Sequence, residues 1–271
     1  MLGKLFKHEF KSTGRIMGIV FAVDAALIAL MFITALLKIE YLKVTVVLFM
    51  VMACFATIVM VYLTTAMEFW KTMYGRQGAL TNTLPVKPGS LLLSKITVAA
   101  AWLSVSVLAV ILMAAAIATC VTEKINLLWI DDLIGLLDIA PKGSEIAAIF
   151  LILVLILQAI NLILLIYFVS TLANMKPFQS MGIGAAVLLF FGFSFAVNII
   201  DSIASTTIPL SIALGSEGFK IISKNLLTAI MGGTLETIPI LPIGSLIVNI
   251  VLTVLYYMLT QKFINKKICV K

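Results

Sequence analysis

Hydrophobic residues run along this chain in long blocks from which charge is missing. Val44–Met67, Ile96–Thr122, Ile146–Met175, Pro177–Ile200 and Thr237–Gln261 hold no Asp, Glu, Lys or Arg, and a sixth block, Ile16–Leu37, holds only Asp24. A helix needs roughly 20 apolar residues to cross about 30 Å of hydrocarbon, and a soluble helix of that length would carry a polar face. The pattern therefore predicts an all-α integral membrane protein with six transmembrane helices, at about 16–37, 44–67, 91–121, 146–173, 178–200 and 238–260.

Between the blocks the pattern changes period. In residues 2–13, Leu2, Leu5, Phe6 and Phe10 recur at helical spacing while Lys4, Lys7, His8 and Lys11 take the other side. This predicts an interfacial amphipathic helix resting its apolar stripe among the headgroups. A second short amphipathic helix is expected on the outer surface at Asn126–Ile139. The outer connection 201–236 holds apolar runs at Ile208–Leu214 and Ile221–Met231, each too short to cross, so re-entrant or interfacial half-helices are expected before the last span. The brief Met175–Lys176–Pro177 break predicts a tight antiparallel hairpin of spans four and five. With six spans and their connections consuming nearly all of 1–271, the chain reads as one transmembrane domain. The first span is read as a retained helix rather than a cleaved leader, being too long and lacking a small-residue exit site.

Composition agrees: 62% of residues are hydrophobic and 11% charged, against about 25% charged in soluble domains. The net charge of +7 is placed unevenly. With the amino terminus inside, 13 of the Lys and Arg residues fall on the inner side and six outside, and the positive-inside rule puts both termini in the cytoplasm. Lysines beside spans meet anionic headgroups, so no nucleic-acid partner is expected. The three scattered cysteines, Cys54, Cys120 and Cys269, form no pair motif.

Candidate chemistry is sparse. No GxxxxGK[ST] is present, so the chain itself is not expected to hold nucleotide phosphate. No HExxH occurs, and the single histidine, His8, leaves neither a metal site nor a Ser/His/Asp arrangement, so no catalytic or metal-ligating residues are assigned. Asp24 alone among carboxylates sits inside a predicted span, where charge is costly and must face protein or water. It either lines a translocation path or makes a structural contact, paired with a cation or protonated and hydrogen-bonded to a neighbouring helix. Gln158, Asn161 and Asn198 read as interhelical hydrogen-bonding groups. Gly182, Gly184, Ala185 and Ala186 would permit close helix approach.

The most specific pattern lies between spans two and three. Glu68, Phe69, Trp70, Lys71, Tyr74 and Arg76 combine charge and aromatic area on a helix-compatible start, and such residues anchor protein interfaces. The second half of this connection is broken by Pro85, Pro88 and Gly89. The stretch Phe69–Lys95, FWKTMYGRQGALTNTLPVKPGSLLLSK, resembles a region of ABC-2 type transporter permeases of Gram-positive bacteria, whose loops run like FYKxLYGxEGxLxxTLPV followed by LLLSK. The opening Leu5-Phe6-Lys7-His8-Glu9-Phe10-Lys11 and Gly14-Arg15 are similar to the start of that family. Gln77 departs from it, standing where an acidic residue is frequent. The resemblance covers the first hundred residues best.

The resemblance implies a bacterial plasma-membrane exporter subunit that pairs with a second permease copy or a paralogue. It implies two cytoplasmic ATPase subunits, which bind the ATP and Mg that this chain does not. It further implies a coupling helix within Glu68–Gly78 as the docking surface, and cargo of amphipathic or antimicrobial peptides of the phenol-soluble-modulin kind. Two rival readings stand beside it: an ion-gradient secondary transporter, or a non-transporting scaffold or sensor subunit.

Overall fold

The structure, a computed structural model, describes residues 2–37, 40–75, 78, 88–121, 144–176, 178–215, 218–223 and 240–266. Six helices among them are long and apolar enough to cross a membrane. They are α1 (Leu2–Leu37), α2 (Glu40–Met73), α3 (Pro88–Val121), α4 (Ser144–Ala173), α5 (Ile183–Thr207) and α6 (Ile243–Lys266). By contact they fall into two compact units, α1–α3 and α4–α6.

The first unit departs from expectation at its amino-terminal end. No separate interfacial helix precedes the first span, because α1 is one unbroken helix of 36 residues. The end of the charge-free block at Ile16 marks a change of surroundings, and nothing there stops a helix. Ser12, Thr13 and Gly14 lower helix propensity only modestly, and no proline intervenes. α2 likewise overruns 44–67 at both ends, and α3 starts on Pro88, a residue suited to the first helical position.

Two apolar clusters hold this unit. Met17, Val61, Val98 and Trp102 form one, and Met31, Val46, Met50, Met113 and Ala116 the other. Along α1, Asp24 lies midway between Met17 and Met31 in sequence and is itself buried. Large apolar side chains elsewhere on these helices, such as Ile19, Phe49 and Phe55, face outward. That is the arrangement a lipid solvent requires.

In the second unit α4 packs against both α5 and α6. The chain between α4 and α5 passes a short 3-10 turn, Gln179–Met181, and Gly182 at φ +59. This left-handed backbone suits glycine, and it delays the start of α5 beyond the expected 178. Among the described residues no atom lies within 4 Å of a Cβ built on Gly182 or Gly184, while Ala185 is buried. A close approach is made at Gly244, at the start of α6, where a Cβ would collide with the carbonyl of Ala204 on α5.

The chain after α5 corrects the sequence reading. Ile208–Leu214 is not a half-helix. Ser211–Gly215 (β1) pairs antiparallel with Gly218–Ile222 (β2) and with Ile240–Pro242 (β3), in the order β2-β1-β3. Pro209 cannot continue the helix ending at Thr207, and Gly215 and Gly218 flank a two-residue connection. The sheet pairs backbone groups that a broken helix would leave open. The described residues thus form six helices of membrane-spanning length and one small sheet. The Ile221–Met231 half-helix fails at its first two residues, which belong to β2. The rest of it, together with the helix expected at 126–139, lies outside the described residues.

Candidate functional site

Helices α1, α2 and α3 contain 36, 34 and 34 residues. At 1.5 Å per residue each is about 50 Å long, well beyond about 30 Å of hydrocarbon. Most of the surplus lies at one end. Reading outward from the charge-free blocks, the first charged residues met there are Arg15 on α1, Glu68 on α2 and Lys95 on α3.

Around these residues lies a polar clasp. The Lys95 ammonium reaches Glu9 Oε1 at 2.5 Å, with side chains only 2% and 10% exposed. It also donates to Thr72 Oγ1 at 2.6 Å. The Thr72 hydroxyl in turn donates to the carbonyl of Glu68 at 2.6 Å, so its single proton and one lone pair are both used. One turn deeper the scheme repeats. Trp102 Nε1 donates to Thr13 Oγ1 at 2.7 Å, and Thr13 donates to the Glu9 carbonyl at 3.0 Å. Ser12 closes the ring by donating to Glu68 Oε1 at 2.5 Å. Donors on α3 thus engage hydroxyls on α1 and α2, which pass on to helix carbonyls. Removing one partner of such a buried pair leaves an uncompensated charge, which ties the three helix ends together.

Glu68 to Met73 continue α2, so the first six residues of the expected coupling stretch Glu68–Gly78 are the end of a span, while residues 76–77 lie outside the described residues. Phe69 is 1% exposed and Tyr74 8%, their rings 6.2 Å apart and edge-on. Trp70 is half-buried and edge-on to Tyr74, also at 6.2 Å, while Lys71 is exposed. Four of the six candidate residues therefore serve the interior or its edge in different ways. Glu68 joins the clasp, Phe69 and Tyr74 are core, and Trp70 lies on the rim. Lys71 faces outward, and Arg76 lies outside the described residues.

Asp24 belongs to a different place. It is 4% exposed, and Thr57 on α2 donates to its carboxyl at 3.0–3.1 Å. The observed partner is thus a residue of a neighbouring helix. Asn161 also meets a neighbouring helix, donating to Asn249 O and Thr253 Oγ1 on α6 at 3.0 and 3.1 Å. Asn198 does not: it bonds back to Ser194 O on its own exposed helix face.

No protein-family model, curated protein or solved structure matches this chain. The site therefore stands on its own geometry.

Reading the sequence missed Glu9, Thr13, Thr72, Lys95 and Trp102. A signal existed. Glu9, Thr13, Met17, Asp24 and Met31 are spaced by four, four, seven and seven, a heptad-like seam that marks the buried face of α1. The expected apolar stripe, by contrast, leaves Phe6 and Phe10 each 37% exposed.

Proposed function

We propose that this chain is the membrane-spanning subunit of an ABC-2 type exporter in a bacterial plasma membrane, both termini cytoplasmic. In this reading it works as a dimer with a second copy or a paralogue, driven by two separate ATPase subunits that carry ATP and Mg. Its cargo is an amphipathic peptide or similarly hydrophobic molecule drawn from the bilayer. The observation that carries the reading is the clasp. The aromatic end of α2, with Trp70 and Lys71 on its surface, is joined through Glu68 and Thr72 to α1 and α3. A push from an ATPase on that end would move three helices together, and hinge-free coupling of this kind is what a permease with an external motor needs. The loop resemblance at Phe69–Lys95 points the same way.

The test is to place a photocrosslinking residue at Trp70 or Lys71 in native membranes and to reconstitute the purified assembly in liposomes. A nucleotide-hydrolysing partner should be captured, and its turnover should rise with an amphipathic peptide. Capture of phospholipid alone would overturn the assignment. Recruitment of an ATPase without peptide stimulation would indicate a regulatory subunit.

A further inference from the structure

The outer face of the clasp carries a feature that the exporter reading does not use. A groove of about 600 Å³ runs beside α1 and α3, lined by Phe6, Lys7, Phe10, Lys11, Gly14 and Trp102. Its floor is a ladder of rings. Phe10 stacks on Trp102 with centroids 4.3 Å apart and planes at 10°, and Phe6 lies 5.9 Å from Phe10 at 19°. At the inner end a Cβ on residue 14 would sit 3.6 Å from the Trp102 ring edge, in ordinary contact, so a longer side chain there would occupy the groove. Lys7 and Lys11, one helical turn apart and both exposed, add two positive charges to an otherwise apolar lining.

We propose that this groove binds an anionic phospholipid of the surrounding bilayer, its phosphate between Lys7 and Lys11 and one acyl chain along the rings. The order of chemistry along α1 supports this occupant. Ile16 opens the charge-free block, and Lys11 precedes it by about 7 Å of helix axis, at the depth of the headgroup layer. Trp102 and Gly14 lie on the hydrocarbon side, and Lys7 lies one turn farther toward water. A phospholipid presents the same sequence, chain first and phosphate next. Indole rings at this boundary are favoured for the same reason. The proposal is independent of the exporter assignment.

The experiment uses the full chain with Trp70→Phe and Trp129→Phe, leaving Trp102 as the sole tryptophan of the three. It is reconstituted in equimolar phosphatidylglycerol and phosphatidylcholine, with brominated chains on one or the other. Brominated phosphatidylglycerol should quench Trp102 more strongly. The preference should fall about fivefold for each lysine removed in Lys7→Gln and Lys11→Gln. It should survive in Lys7→Arg/Lys11→Arg, and Gly14→Leu should abolish it by filling the groove with charge unchanged. Equal quenching by the two lipids in the parent protein would overturn the proposal. So would a preference that persists in the double glutamine variant. Equal lipid quenching with Trp102 shielded only by an added anionic amphipathic peptide would assign the groove to a peptide instead.

Discussion

The two helical units differ in how far buried polar contacts add to their apolar packing. In α1–α3 buried polar contacts add to the two apolar clusters: Glu9 with Lys95, Thr72 with Lys95, Thr13 with Trp102 and Thr57 with Asp24. In α4–α6 ring contacts stand out. Phe168 packs edge-on against Phe193 at 5.4 Å and lies 5.3 Å from Tyr256 and 6.3 Å from Phe263, and Asn161 bonds across to α6. Lipid offers helices no hydrophobic incentive to associate, so close contact and hydrogen bonds must do it. Ring contacts hold without directional bonds and tolerate small shifts. An ion pair backed by hydroxyls fixes register and can be undone by water or by a competing charge. The polar unit is also the one with the surplus helix ends, where water is near.

The sharpest way to break this contrast is Lys95→Met. It strands the Glu9 carboxylate and should cost about 4 kcal/mol, read by unfolding in mixed micelles. Adding Glu9→Gln should recover most of that loss. If the single variant is as stable as the parent, the clasp does not hold the unit. Phe168→Ala should come next, at about 3 kcal/mol from lost ring contact, with no dependence on salt. A salt-sensitive effect there would erase the distinction between the units. The smallest change is expected from Asn161→Leu, about 0.6 kcal/mol, since membrane hydrogen bonds average that little. A loss as large as that of Lys95→Met would show that the second unit also depends on a polar anchor.

The six spans were legible because charge gaps of this length have one physical meaning in a membrane. Helix ends were less so. Polarity changes where a helix leaves lipid, while hydrogen bonding can carry on, as it does through Arg15 into Lys11 and Lys7. The clasp was hidden for a related reason. Glu9 and Lys95 lie 86 residues apart, among the charges that any membrane edge displays, and no local pattern pairs them. Their burial follows only once Met17, Asp24 and Met31 are seen to share a seam. The sheet was misread because an apolar run of five residues such as Ser211–Gly215 fits helix and strand alike, and its partners Gly218–Ile222 and Ile240–Pro242 decide between them. Phe69 and Tyr74 looked like surface anchors because aromatic residues near charges serve interfaces and cores equally well.

The unbroken course of α1 has a mechanical meaning. A helix with no break between Leu2 and Leu37 can carry a tug on one tip along its length, so that the far tip swings the opposite way. The Asp24–Thr57 bond, near the midpoint, is where such a seesaw would pivot. Lipid gripping one arm would then weigh on the other.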